Sequence, residues 1–146
     1  MLRPIDGLMV YPMLALVLLT FGVALVLLVR RVRAMRAGRI HPQSVATARD
    51  MAAKFDDHRT PDNFRNLFET PVLFYAAMLA AIALHGGTWP LLVLAWLYVA
   101  LRVLHSLIHC TYNRVMHRFA VFVASMVVLF VIWCIVGAHA AVVAAQ

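Results

Sequence analysis

The sequence has few charged residues. Only 13% of its 146 residues are charged, whereas 64% are hydrophobic and the mean hydropathy is +0.87. Ordinary soluble domains contain about 45–50% apolar residues. The shortage of charge therefore excludes an ordinary soluble domain and indicates a membrane protein.

Several sequence motifs are also absent. The chain has no glycine-rich phosphate loop, G-x-S-x-G elbow, C-x-x-C pair or H-E-x-x-H motif. It also lacks the inverted pair of broken helices that is typical of many transporters. Cys110 and Cys134 fall in or beside apolar segments, so we interpret them as small buried hydrophobic residues rather than a disulfide.

Acidic residues are scarce. The chain has 6 Asp and Glu against 13 Lys and Arg, of which Lys54 is the one lysine, and its formal net charge is +7. Most of the cations flank hydrophobic segments, where they set topology and contact lipid headgroups. We therefore expect membrane lipids as partners and no nucleic acid.

The apolar residues form four blocks, at about residues 9–29, 64–84, 89–112 and 119–138. The first block has 21 residues without a charge. At about 1.5 Å per residue it crosses a hydrocarbon core of about 30 Å. The sequence thus predicts an all-α membrane protein, a bundle of four transmembrane helices that forms one domain over residues 1–146.

The polar segments predict the topology. Residues 30–62 carry most of the arginines, so the positive-inside rule makes this segment a cytoplasmic loop and both termini non-cytoplasmic. Short loops and the arginine-rich composition favour a bacterial inner membrane. Pro71 interrupts the second block, and we expect it to kink that helix.

Polar residues follow one face of the predicted third helix. Arg102, His105, His109 and Asn113 are spaced 3, 4 and 4 apart, and Tyr98 extends this stripe. Ionisable side chains at membrane depth are costly and normally face the bundle interior or a wet cavity. The stripe therefore predicts one wall of a charged ligand pocket.

The second helix carries a matching set. Asp62, Asn66 and Glu69 are spaced 4 and 3 apart, and Arg65 lies four residues before Glu69. Two interpretations of Arg65 and Glu69 are equally consistent with the sequence. The two residues form an ion pair that closes the cytoplasmic end of the bundle, or they contact a ligand.

Structural interpretations also exist for the third and fourth helices. Hydrogen bonds between helices explain His105 and Ser106 as well as direct catalysis does. A structural interpretation also exists for a further set of side chains, which could lie at the membrane–water interface or in the core: Arg114, His117, Tyr98 and Tyr112. His105, His109 and Glu69 form a weak metal-ligand pattern, which the neighbouring Arg102 disfavours by repelling a cation, so we predict no metal site.

Two stretches carry a family resemblance: NLFETP, which begins at Asn66, and RVLHSLIH, which begins at Arg102. In these positions, with an arginine just before the fourth helix, they resemble the MAPEG family, the membrane-associated proteins in eicosanoid and glutathione metabolism. The resemblance covers nearly the whole chain. It implies a left-handed four-helix protomer, a homotrimer, and a glutathione site at each subunit interface near the cytoplasmic side.

The resemblance also implies residue roles. In the family's enzymes an arginine near the start of the fourth helix stabilises the glutathione thiolate; spacing favours Arg118, with Arg114 as the competing choice. Glu69 is expected to accept from the γ-glutamyl amine. The residues expected to contact glutathione are Arg65, Asn66, Glu69, Arg102, His105, His109, Tyr112 and Asn113.

Two positions depart from the family pattern. Asp62 stands where the enzymes often carry a basic residue, and His109 stands where tyrosine is common, which supplies an imidazole that titrates near neutral pH. The resulting hypothesis is a transferase or peroxidase that uses glutathione as co-substrate on lipophilic electrophiles. The alternative is a non-catalytic MAPEG-like membrane protein that binds a lipid or anionic metabolite or regulates a partner.

Overall fold

The computed structural model describes residues 3–55 and 57–146, and it contains no strand in that part of the chain. Four helical spans are long and apolar enough to cross a membrane, which confirms the predicted four-helix transmembrane fold. In chain order the elements are α1 (Pro4–Leu8), α2 (Val10–Ala37), a 3₁₀ turn (Pro42–Val45), α3 (Ala48–Lys54), α4 (Arg59–Asn66), α5 (Thr70–Ala83), α6 (Trp89–Cys110) and α7 (Val115–Ala144).

The first span extends well beyond its apolar block. Helix α2 continues through the arginines after Val29 and ends at Ala37, because arginine, alanine and methionine are all good helix formers. Arg39 then adopts a left-handed φ of 50°, and the Ile40 amide donates to the Met35 carbonyl at 2.9 Å. The predicted cytoplasmic loop therefore begins as helix.

The second span is broken rather than kinked. Helix α4 ends at Asn66 and α5 begins at Thr70, with Pro71 in its first turn. Proline has no amide hydrogen to donate back to the carbonyl four residues earlier, so the chain turns at residues 67–69. Glu69 lies in that turn, so Asp62, Asn66 and Glu69 do not form one continuous helical face.

Helix α6 lies at the centre of the bundle. Half of its most apolar window, 50%, is buried, compared with 22% for the first span, 33% for the second and 28% for α7. Large buried side chains in the core include Phe74, Met78, Leu91, Tyr98, Leu129 and Ile132. The outer faces remain apolar and exposed, as lipid or a neighbouring subunit requires.

The bundle has two chemically different ends. The arginine-rich end is formed by the last turns of α2, the start of α4, the end of α6 and the start of α7. The turn end is formed by α1, residues 84–88 and the last turns of α7; there His139 Nε2 lies 3.0 Å from the Leu84 carbonyl oxygen.

Asp6 organises the turn end, although no motif in the sequence distinguishes it. Its carboxylate is fully buried. It accepts hydrogen bonds from the Gly87 amide at 3.0 Å and from the backbone and guanidinium of Arg3 at 3.1 and 3.3 Å, and His85 Nδ1 lies 3.4 Å away. A side chain at position 87 would collide with Asp6, which explains the glycine.

Candidate functional site

Arg102 is the central residue of the candidate site. Its side chain is fully buried in α6, and Nη2 donates to the Asn66 carbonyl oxygen at 3.1 Å and to the Asn66 side-chain oxygen. Asn66 ends α4, so the helix break brings both of its oxygens to the arginine. Nε and Nη1 of Arg102 have no partner among the described residues.

Two histidines continue the polar face of α6. His105 and His109 are only 3% and 5% exposed, and their ring centroids lie 5.6 Å apart. Phe122 of α7 covers this face, with its ring 5.9 Å from His105 and 6.0 Å from Arg102 Cζ. The predicted stripe of Tyr98, Arg102, His105 and His109 thus does point into the bundle interior.

Buried polar atoms without a partner concentrate here. In proteins the great majority of such atoms are hydrogen-bonded to protein or to ordered water. Within residues 3–55 and 57–146 the exceptions are Thr70 Oγ1, Tyr98 Oη, Arg102 Nε and Nη1, His105 Nδ1 and His109 Nδ1. We refer to these five residues as the Arg102 cluster, and its open donors and acceptors can bind a polar ligand or water.

Asn63 supports the cluster from α4. It is fully buried; its Oδ1 accepts from Ser106 Oγ at 3.3 Å, and its Nδ2 donates to Cys110 Sγ at 3.4 Å. Ser106 therefore makes the hydrogen bond between helices that was one of its two interpretations. Asn63 belongs to no motif that the sequence reveals, although it lies three residues before Asn66 and so shares its helical face.

Arg30 joins three spans at the arginine-rich end. Nη1 donates to Asp57 at 3.0 Å and to Thr60 Oγ1 at 2.8 Å, and Nη2 donates to the Cys110 carbonyl at 3.3 Å. Burial alone would raise the pKa of Asp57, but the hydrogen bonds from Thr60 and Arg30 outweigh it and lower that pKa. From the sequence alone, the predicted role of Arg30 is only that of a cation that sets membrane topology.

Asn113 is not on the polar face of α6. The helix ends at Cys110, and Asn113 follows it with a left-handed φ of 50°, a conformation that asparagine tolerates well. The prediction that the stripe continues to Asn113 is therefore wrong. Its side-chain oxygen instead accepts from Arg118 Nη1 at 2.8 Å, which places Asn113 beside a predicted thiolate arginine.

The two candidate thiolate arginines differ in environment. Arg118 is half-buried in the first turn of α7, and its guanidinium donates to Asn113. Arg114 is exposed and precedes the helix. Tyr112 is also exposed, and its hydroxyl lies 3.4 Å from His117 Nδ1.

Arg65 and Glu69 lie outside the buried cluster. Both are exposed, and they form no ion pair with each other, because the helix break separates them. Glu69 does not join the two histidines either: among the described residues no three His, Cys, Asp or Glu side chains could hold a metal ion.

The four spans and the Arg102 cluster also match a known protein family. A model of the MAPEG family matches residues 9–138, which include nearly all of the four spans and the Arg102 cluster. The chain belongs to the MAPEG family. This confirms the resemblance carried by the stretches at Asn66 and Arg102, and it makes the chain an integral membrane protein of a family generally associated with glutathione. No curated protein and no solved structure matches this MAPEG chain closely enough to be accepted as a relative.

Proposed function

We propose that this MAPEG protein is a glutathione-dependent transferase or peroxidase that acts on lipophilic electrophiles. The observation that carries the proposal is the unsatisfied hydrogen-bonding capacity of the buried Arg102 cluster. Glutathione carries two carboxylates and one ammonium group. Arg102 has donors left for a carboxylate, and charge-assisted hydrogen bonds of this kind are the strong ones.

Arg118 is the proposed thiolate-stabilising residue. A free thiol with a pKa near 8.5 is mostly protonated at neutral pH, and each unit of lowering corresponds to about 1.4 kcal/mol of stabilisation. Arg118 is half-buried and oriented by Asn113, whereas Arg114 is exposed. This environment favours Arg118, with Arg114 kept as the competing assignment.

A neighbouring subunit would complete the site. Glu69, Arg65, Tyr112 and Arg114 are expected glutathione contacts or catalytic residues, but they lie exposed on the single chain. In the proposed homotrimer these positions face an adjacent protomer, and the glutathione is enclosed between the two. The proposed location is a bacterial inner membrane with the arginine-rich end in the cytoplasm.

The lipophilic substrate would reach the thiolate from the bilayer. The outer faces of the spans carry exposed apolar side chains such as Phe21, Leu25 and Phe130. A hydrophobic electrophile partitions into the surrounding hydrocarbon and can approach between helices. The thiolate sulfur then bonds to the electrophilic atom and expels a leaving group, while the Arg102 cluster holds the charged parts of glutathione. With an aryl halide the leaving group is halide. With a lipid hydroperoxide the O–O bond breaks, the alcohol leaves after protonation, and a second glutathione reduces the sulfenic acid to the disulfide and water.

The test is the ultraviolet difference spectrum of the detergent-purified protein with added glutathione. We expect a thiolate band in the wild type that Arg118→Ala loses and Arg114→Ala keeps. Arg33→Ala is the matched control, because Arg33 is an exposed arginine at the same end of the bundle. A band that survives Arg118→Ala unchanged would disprove the assigned role, and glutathione binding without any band would favour the non-catalytic alternative.

A further inference from the structure

His105 and His109 follow one face of α6, and α7 covers that face. The two helices pack against each other and are joined by a short turn, so they run antiparallel. The His105 ring lies 5.9 Å from the Phe122 ring of α7. One helical turn nearer the connection, the next residue of the same face is His109 on α6 and Arg118 on α7. The hairpin therefore places His109 at the same level as the proposed thiolate arginine.

His109 is suited to hold a proton at this position. Its side chain is only 5% exposed, and Nδ1 has no hydrogen-bond partner among the described residues. The guanidinium groups of Arg102 and Arg118 remain protonated at physiological pH, so neither exchanges a proton with a substrate. An imidazole does so near neutral pH. A free ring nitrogen of His109 can therefore take up one proton and pass it on.

The two reactions of the proposed function differ in their need for a proton. A halide ion is a weak base and leaves an aromatic ring without protonation. The alkoxide released from a lipid hydroperoxide is a strong base, and a positioned proton donor typically accelerates such a step by about 100-fold or more. A proton donor beside the thiolate therefore favours hydroperoxide reduction over halide displacement.

We propose that His109 is this proton donor and that lipid hydroperoxides are the preferred substrate class; the inference rests on the proposed glutathione function. Glutathione transfers its thiol proton to His109 as the thiolate forms beside Arg118. The sulfur bonds to the terminal oxygen of the hydroperoxide, the O–O bond breaks, and its electron pair goes to the departing oxygen. The His109 imidazolium gives that oxygen its proton, so the alcohol leaves. The remaining sulfenic acid reacts with a second glutathione, which yields the disulfide and water.

His105 is the competing donor, and its position disfavours it. It lies one helical turn, about 5.4 Å, further from the α6–α7 connection than His109. Phe122 covers this deeper position, since its ring also lies 6.0 Å from Arg102 Cζ. A substrate oxygen held at Arg118 is therefore nearer to His109. His105, whose Nδ1 also has no partner among the described residues, stays available to the charged parts of glutathione.

The experiment compares two reactions of the full chain in detergent at saturating glutathione: reduction of a fatty-acid hydroperoxide and displacement of chloride from chlorodinitrobenzene. His109→Phe removes the ring nitrogens, and we expect hydroperoxide turnover to fall about 100-fold while chloride displacement is unchanged. His109→Tyr differs from that variant by one hydroxyl, whose proton can go to an alkoxide, so it should recover part of the loss. His41→Phe is the matched control at an exposed histidine outside the Arg102 cluster, and it should change neither reaction.

A series of hydroperoxides supplies a readout that a purely structural role would not move. The deficit of His109→Phe should shrink as the leaving alcohol becomes more acidic, because a weaker base needs less protonation. Equal loss of both reactions, no recovery in His109→Tyr, or a selective loss in His105→Phe instead would overturn the proposal. Chloride displacement without hydroperoxide reduction in the wild type would overturn it while keeping the glutathione function. Absence of a thiolate band and of turnover of either substrate would overturn both.

Discussion

Asp6 and Arg102 are both fully buried and ionisable, but their surroundings differ. Asp6 at the turn end is surrounded by donors from its own chain: Arg3, Gly87 and His85. Arg102 near the other end uses one terminal nitrogen on Asn66 and leaves Nε and Nη1 without partners in the described structure. Burial of a charge alone therefore does not identify a ligand site. The hydrogen-bonding capacity that Arg102 leaves unused is what supports the proposed ligand site.

The largest expected effect is on ligand binding. Arg102→Met keeps a long side chain but removes the guanidinium, and we expect glutathione affinity to fall roughly 100-fold because hydrogen bonds to a charged group are lost. The free energy of unfolding should fall by only about 1 kcal/mol, because the two Asn66 oxygens lose their donor while the cost of burying a partly unpaired charge is removed. Calorimetric titration and thermal unfolding in detergent measure the two quantities. Strong destabilisation of Arg102→Met with unchanged glutathione affinity would show that Arg102 has a structural role and does not bind the ligand.

Asp6→Ala should show the opposite behaviour. Removing the carboxylate leaves the Gly87 and Arg3 amides without their acceptor, so the free energy of unfolding should fall by about 2 kcal/mol. Glutathione affinity should not change. Asp6→Asn is the matched variant, because its side-chain oxygen can still accept from Gly87, and it should lose less stability. A large loss of glutathione binding in a folded Asp6→Ala protein would show that the turn end is not purely structural.

Asn63→Ala should have an intermediate effect. The side chain of Asn63 is hydrogen-bonded to Ser106 and Cys110, and it lies next to the Arg102 cluster. We expect a loss of about 1 kcal/mol in stability and a smaller loss of affinity than for Arg102→Met. The same unfolding and titration measurements apply. If Asn63→Ala abolished binding with no change in stability, Asn63 would belong to the ligand site itself.

The smallest expected effect is a dependence of stability on acid pH. The pKa of Asp57 in the folded protein lies below its ordinary value of 3.8. Its contribution to stability is therefore complete above that value and is lost as the pH falls through the folded pKa. Unfolding of the wild type should show this loss, and Asp57→Asn should remove that part of the pH dependence. A variant with the same acid profile as the wild type would contradict the prediction.

The candidate site was only partly predictable from the sequence. Spacing placed Arg102, His105 and His109 on one face, because helical periodicity is a local property. It failed at Asn113, since the end of α6 at Cys110 depends on a left-handed turn that the apolar pattern does not reveal. Asn63 was missed because its significance depends on Ser106 and Cys110, which lie more than 40 residues away.

By itself the sequence determined that this chain is a four-span α-helical membrane protein of the MAPEG type. Runs of about 20 apolar residues can satisfy their backbone groups in lipid only as helices, and this constraint is local. Only the tertiary structure decided which buried polar side chains find hydrogen-bond partners within the chain. Partners for Asp6, Arg30 and Asn63 come from segments distant in sequence, while Arg102 lacks partners for two of its nitrogens among the described residues. Hydrogen bonding between distant segments depends on how the helices pack, and spacing along one helix does not contain that information.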